Sequence, residues 1–357
     1  MSCYHPLIGY DLGINKETGK RNIKVMPSVN IDLQKTLESN PNSMLIPCGK
    51  CIGCRMDYSR RWADRMMLEL ESCSGKGVFV TLTYDCRNVV DIEGKKVVDC
   101  KYPNINIREG EKCPRSLICG YYCKQNGSLY KAHVPTFMKD LREDLRNNKN
   151  LFIRFYACGE YGDATKNTHR PHYHLILFGI GLDDLENLRH VGFNELRQEV
   201  YSSDTISRHW PYGFISVGDV SWKSCAYVSR YITKKALDPT DEDFLDAYGK
   251  AHMFSLMSRR PGIGKPYLES HPDCLDFSTI YLSTKDGAKK LNTPKYFVKS
   301  LESTDKEKYD KIIAERALYA QNSMYSKLNQ TDLELSDYLL VEEDKMLRKI
   351  KSLKRSI

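Results

Sequence analysis

Apolar side chains recur at fixed spacings along the chain and divide it into recognisable segments. Trp62, Met66 and Leu70, with Ala63 and Met67, fall at four-residue intervals and predict a helix from about Tyr58 to Ser72. The β-branched and aromatic run from Val78 to Tyr84 predicts a strand. Pro135 to Asn147 predicts a helix, with proline in its first turn and Phe137, Leu141 and Leu145 on one face. Strands are expected at Leu151 to Cys158, His172 to Phe178 and Phe214 to Val220. Helices are expected at Leu182 to Val200, with Gly192 as a break, and at Trp222 to Lys235. After Pro294 there is neither Gly nor Pro, and the tail predicts two charged helices, the second opened by a Thr331–Glu334 capping box. Residues 1–50 show no sustained period and are expected to be irregular. Residues 85–133 carry Cys86, Cys100, Cys113, Cys119 and Cys123 among Gly, Asn and Pro, and read as a long insertion. No internal repeat is visible, and the interleaved strands and helices indicate an α/β or α+β core.

Composition narrows the class. The 357 residues are 41% hydrophobic and 28% charged, which is ordinary for a globular protein with a buried core and excludes a wholly disordered or collagenous chain. The longest apolar run, Leu175 to Leu182, is too short to cross a bilayer, and the first residues do not read as a secretory signal. The thirteen cysteines are therefore expected to be reduced thiols, some available to metal, rather than a disulfide framework. A net charge of +8 is compatible with an anionic partner without identifying one.

Two segments carry candidate chemistry. In a strand, residues i and i+2 face the same way, so His172 and His174 present two imidazoles side by side while Tyr173 faces away. The turn-prone stretch from Gly162 to Asn167 would return His172 close to Glu160. Two imidazoles and a carboxylate suit a divalent ion with positions left open for phosphate oxygens. His169 and Asp163 are alternative ligands, and a metal-free polar pair at a sheet edge is the plainer reading. Further on, Tyr227 and Tyr231 stand at i and i+4 of a helix, about 40° apart around it and about 6 Å along it. Arg230 and Lys234 each follow a tyrosine by three residues. Plain amphipathic packing is the alternative there.

Together these segments resemble the HUH superfamily of single-strand DNA nucleases. His172-Tyr173-His174 is similar to its His-hydrophobic-His motif, Phe79 to Tyr84 to the preceding strand of rolling-circle initiators, and Tyr231 with Lys234 to its Tyr-x-x-Lys helix. The histidines precede the tyrosines, as in replication initiators. The blocks Pro47 to Arg55, Gly159 to Gly162, Trp210 to Gly213 and Met257 to Gly264 resemble the initiators of microviruses, the gokushovirus group especially. The resemblance covers roughly residues 1–300. It implies an α+β, ferredoxin-like or RNA-recognition-like core with an antiparallel sheet carrying the histidines. It implies Glu160, His172 and His174 as ligands of Mg²⁺ or Mn²⁺, Tyr227 and Tyr231 as nucleophiles, and Lys234 beside the scissile phosphate. It also implies an origin-nicking enzyme that keeps a 5′-phosphotyrosine and later rejoins the strand as a circle. Single-stranded origin DNA, a host helicase and a host single-strand-binding protein are the implied partners, in a bacterial cytoplasm. The implied layout is an N-terminal region at 1–75, a nuclease core at 76–240 with the insertion at 85–133, a basic loop region at 241–300 and a helical tail at 301–357.

Cys48, Cys51 and Cys54 are spaced C-x₂-C-x₂-C and offer three thiolates to one ion. An iron–sulfur pattern of the bacterial type would want cysteine at 58, where Tyr58 stands. A structural zinc would need a fourth ligand from Cys3, His5 or Cys73; buried thiols without metal are the alternative. Arg55, Arg60, Arg61 and Arg65, and the loop residues Arg259, Arg260 and Lys265, are candidate phosphate contacts, with Trp62 or Tyr267 for base stacking. The last helix is basic through Lys345, Arg348, Lys349, Lys351, Lys354 and Arg355. Two rival functions remain: a non-catalytic origin-binding protein that recruits a helicase, and an iron(II) oxygenase, which leaves the tyrosine pair unexplained.

Overall fold

A computed structural model describes residues 3–19, 21–29, 31–85, 88–97, 127–162, 170–194, 197–230, 249–284 and 287–353. It divides into two units, Met1–Arg61 with Thr293–Ile357 and Trp62–Asn292. The N-terminal stretch is not irregular. Strands β1 (Leu7–Ile14), β2 (Arg21–Met26) and β3 (Ser43–Ile46) form a sheet in the order β2-β1-β3, with helix α1 (Leu33–Ser39) between β2 and β3. Every residue of β2 is exposed, so that strand has no buried face to impose an apolar alternation on its sequence. Asp32 caps α1 by accepting from the Lys35 backbone N–H at 2.9 Å. Helix α2 runs from Ile52 to Ser72, six residues earlier than its apolar spacing predicts.

The second unit is built on a seven-stranded antiparallel sheet. Its elements are β4 (Gly77–Tyr84), α3 (His133–Lys149), β5 (Arg154–Tyr161), β6 (Pro171–Phe178), β7 (Arg189–Phe193), β8 (Glu199–Ser202), α4 (Asp204–Ser207), β9 (Gly213–Asp219), α5 (Trp222–Ser229), β10 (Phe254–Met257), α6 (Lys265–Ser270) and the hairpin β11 (Thr279–Thr284) and β12 (Gly287–Asn292). The strand order is β10-β5-β6-β4-β9-β8-β7, an α+β architecture. Strand alternation separates two faces. Val80 and Leu82 of β4, Ala157 of β5 and Tyr173, Leu175 and Leu177 of β6 form one core with Phe137, Met138, Leu141 and Leu145 of α3. On the other face, the Trp62 ring of α2 lies 5.2 Å from that of Tyr156, and Cys225 of α5 meets Met67 of α2 at 4.0 Å. Gly77 allows α2 to lie close: a Cβ there would sit 2.5 Å from Leu70 Cδ1.

The expected helix at Leu182–Val200 is instead a short 3₁₀ turn, Leu182–Asp184, followed by the β7–β8 hairpin. Leu182, Leu185 and Leu188 mimic a helical period, but Asn187 takes a left-handed φ of 50° and ends it. The hairpin turn is closed by Asn194, whose side-chain oxygen accepts from the Gln198 N–H at 2.9 Å. Most of the 85–133 insertion, with its five cysteines, lies outside the described residues.

The first unit is completed by α7 (Lys295–Thr304), α8 (Lys306–Leu328) and α9 (Leu335–Leu353), three helices among the described residues where two are expected. Asp305 makes the extra break, since its carboxylate caps α8 at the Lys308 N–H, 3.0 Å away. The Thr331–Glu334 capping box does not form. The Thr331 hydroxyl donates to the Leu328 carbonyl at 3.1 Å, at the end of the preceding helix. Leu328, Leu335 and Leu339 pack with Ile8 and Leu33.

Two polar groupings brace the sheet of the second unit. Glu69 of α2 is fully buried; it pairs with Arg154 and accepts from the Gly264 N–H at 2.6 Å. Arg154 also reaches the Pro261 carbonyl at 2.8 Å, and Arg65 the Ile263 carbonyl at 2.7 Å, so the proline loop is tied to α2 and β5. On the α3 face, Tyr84 pairs with Tyr173 at 2.8 Å and with His133 Nδ1, and burial holds His133 down at about 4. Glu69→Ala leaves Arg154 without its carboxylate and is expected to cost about 3–5 kcal/mol in urea denaturation, with Glu69→Gln costing less. The neutral His133 has a pH consequence. Between about pH 6.5 and pH 4 the unfolded chain binds a proton that the folded one refuses, so stability should fall as pH falls through that window and level off below it. Replacing His133 by Gln should flatten this part of a urea-denaturation pH series.

Candidate active site

Strand β6 lies between β4 and β5, and its register decides what the second face presents. His172 pairs with Glu160 on β5 and with Thr83 on β4, while His174 pairs with Cys158 and Thr81. Directly opposed residues of antiparallel strands share a face, so both imidazoles and the Glu160 carboxylate project together, away from α3. His174 Nε2 lies 2.9 Å and His172 Nε2 3.4 Å from the same oxygen, Glu160 Oε1. Glu160 is 3% exposed and His174 7%, whereas His172 is half-buried and nearer solvent. The far nitrogens are engaged as well. His172 Nδ1 is 3.0 Å from the Arg170 carbonyl, and His174 Nδ1 is 3.0 Å from the Thr81 hydroxyl.

The fourth group comes from α5. Ser221 and Ser224 form a capping box that sets where this helix begins. The Trp222 indole donates to Asp64 of α2 at 3.0 Å, and Cys225 packs on Met67, which together fix the rotation of the helix. Tyr227 then faces the sheet, and its hydroxyl donates to Glu160 Oε1 at 3.1 Å. Its ring stands edge-on to His174 at 5.1 Å and to Phe79 at 6.3 Å, and Phe79 stacks on His174 at 5.4 Å. Phe79 and Thr81 are site residues that sequence reasoning missed. Their signal was the strand alternation itself, which sets them on the histidine face of β4.

Of the residues singled out in the sequence, the structure gathers Glu160, His172, His174 and Tyr227. Tyr231, Lys234, His169 and Asp163 lie outside the described residues. Arg259 and Arg260 are exposed on the loop after β10, and Lys265 opens α6. That loop leaves β10 where Met257 pairs with Tyr156, four residues or about 13 Å along β5 from Glu160. Arg55 belongs to the other unit and donates to the Lys50 carbonyl at 2.6 Å. Neither proposed stacking residue stands open as a platform. Trp62 is sandwiched by Tyr156 and the Arg65 guanidinium, 4.2 Å from its ring, and Tyr267 is buried against His271 at 4.4 Å. Arg65 is likewise committed to the loop carbonyl rather than to solvent.

Residues 77–236, which span this whole constellation, match the family model for the replication-associated protein ORF2. Over its full length the chain is 28% identical to the replication-associated protein ORF2 of Spiroplasma virus 4, across 98% of that protein. The chain belongs with the replication-associated proteins of microviruses. It is also 27% identical to replication-associated protein VP4 of Bdellovibrio phage phiMH2K, over 84% of this chain and 81% of that one. A third relative, replication-associated protein ORF4 of Chlamydia phage 1, is 26% identical over 56% of this chain and 41% of its own length. No solved structure matches.

In this viral replication protein the donor set fits a divalent ion. His172 Nδ1 faces a carbonyl oxygen, which only accepts, so that nitrogen is inferred to carry the ring proton and Nε2 the lone pair. The lone pair and a carboxylate oxygen then confront each other at 3.4 Å, an arrangement that needs a cation to be favourable. A metal satisfies all three donors at once, and the carbonyl behind His172 orients the ring for it. Mn²⁺ at a hundredfold excess over its dissociation constant is expected to stabilise the replication protein by about 2.7 kcal/mol, read as a rise in Tm. His172→Ala and Glu160→Ala should each abolish that rise; an undiminished rise in both would place the ion elsewhere.

Proposed function

We propose that the protein is a metal-dependent DNA endonuclease and strand transferase of the HUH type, which starts rolling-circle replication by nicking one strand at the viral origin. The observation that carries this reading is the Tyr227 hydroxyl at 3.1 Å from the carboxylate oxygen that both imidazoles also face. A phenol with an ordinary pKa of about 10 is a weak nucleophile at neutral pH and gains from a cation close by. An ion held by Glu160, His172 and His174, Mg²⁺ or Mn²⁺ by its liking for phosphate oxygens, would supply Lewis-acid polarisation of the scissile phosphate.

In the proposed reaction a tyrosine oxygen attacks phosphorus, the bond from phosphorus to the 3′-oxygen breaks, and the leaving oxygen takes a proton. The products are a 5′-phosphotyrosine and a free 3′-hydroxyl that primes synthesis. Tyr231, one helical turn beyond Tyr227 in sequence, is the natural second nucleophile for the closing transfer, and Lys234 would steady the phosphate. Working in the host bacterial cytoplasm, such an initiator would need single-stranded origin DNA, a host helicase and a host single-strand-binding protein.

The test uses single-stranded DNA carrying the viral origin, with Mn²⁺. Cleavage is expected together with a protein–DNA adduct that survives denaturant and maps by peptide sequencing to Tyr227 or Tyr231. Tyr227→Phe combined with Tyr231→Phe should lower adduct yield by at least about a hundredfold while DNA binding persists. Binding with no adduct from the unaltered protein would instead identify an origin-binding protein without catalysis.

A further inference from the structure

Four cysteines of the first unit converge on one point that the nuclease reading does not use. Cys3 precedes β1, Cys48 follows β3, and Cys51 and Cys54 enter α2. The sheet brings the first two together, since β1 and β3 pair from Leu7 opposite Ile46. Cys51 and Cys54, three residues apart at the start of a helix, then meet on one side of it. All four sulfurs lie within 4.8 Å of one another. The Cys3 and Cys51 sulfurs are 3.9 Å apart. That is about twice the 2.05 Å of a disulfide. It is instead the edge of a tetrahedron whose centre lies about 2.3 Å from each corner, the zinc–sulfur bond length, for which the edge is about 3.8 Å.

The surrounding backbone is arranged for thiolates. The Cys48 N–H donates to the Cys3 sulfur at 3.2 Å, the Cys51 N–H to the Cys48 sulfur at 3.3 Å, and the Tyr4 N–H to the Cys51 sulfur at 3.4 Å. Such bonds favour sulfur bearing negative charge. Gly49, at φ +75°, makes the tight turn between Cys48 and Cys51 that lets the backbone fold back on its own sulfur. The other two fourth-ligand candidates fall away. His5 is exposed and pairs with Glu343 at 2.6 Å, and Cys73 follows the far end of α2, about 28 Å along the helix axis from Cys54.

We propose that Cys3, Cys48, Cys51 and Cys54 bind a single structural Zn²⁺ as a closed tetrathiolate, separate from the Glu160–His172–His174 group. With all four positions taken by protein sulfur, no place is left for water or substrate, so the ion is a staple and not a catalyst. It ties the residues before β1 to the β3–α2 turn. Iron–sulfur clusters spread their cysteines around several metal atoms and do not draw four sulfurs this close.

The test is the metal content of the full-length protein purified without chelator. About one zinc per chain is expected, retained when His172 and His174 are both replaced by Ala and lost in Cys48→Ser and Cys3→Ser. Because a cysteine variant can simply misfold, the unaltered protein grown with cobalt in place of zinc provides a second readout. It should show the intense thiolate-to-cobalt absorption of a tetrathiolate site, and its four thiols should resist alkylation until a chelator is added. Iron in place of zinc, no bound metal, or zinc that disappears with the histidine variants and survives the cysteine ones would each overturn the proposal.

Discussion

The register of β6 is the constraint on which the candidate active site depends. A strand offers its side chains alternately to two faces, so a slip of one residue would turn both imidazoles into the apolar core under α3 and send Tyr173 to the solvent side. Tyr173 resists that slip. It is fully buried between the histidines, and its hydroxyl donates to the Tyr130 carbonyl and accepts from the Tyr130 N–H, each at 3.0 Å. With Tyr84 bonded to the same hydroxyl, all its polar capacity is used inside the core. The middle residue of the motif is thus the anchor, and the histidines are what the anchor aims.

Glu160 is the meeting point of the site because three separate elements address one of its oxygens. The strand pairing delivers the imidazoles, and a helix whose rotation is set by Trp222 and Cys225 delivers the phenol. A nearly fully buried carboxylate keeps its charge only if cations or donors surround it, and here the surroundings are two imidazoles and a hydroxyl. The geometry is therefore self-consistent: removing any one partner alters the electrostatic setting of the rest.

Legibility in the sequence followed period and locality. The histidine pair, the return of Glu160 to its side, and the inward aim of Tyr227 were readable because each needs only a strand or helix repeat plus a turn. The β7–β8 hairpin was not, since its leucines copy a helical spacing and a single left-handed Asn187 decides otherwise. The N-terminal sheet was hidden because β2 is exposed along its whole length. The fates of Trp62, Arg65 and Tyr267 turned on tertiary partners far along the chain, or on burial, which no local pattern records. The break at Asp305 shows the smallest version of the same problem, where one capping carboxylate outweighs an otherwise continuous helical composition.

The first unit draws on both ends of the chain, with the whole sheet-bearing unit inserted between its halves. On the ribosome this imposes an order. Residues 62–292 are complete and can fold while the rest is still being made, but β1 and α1 must wait for Leu328, Leu335 and Leu339 to emerge before their apolar faces are covered. A nascent or prematurely stopped chain would therefore display Ile8 and Leu33 to the cell's quality-control machinery, so that only the finished replication protein is spared recognition as incomplete.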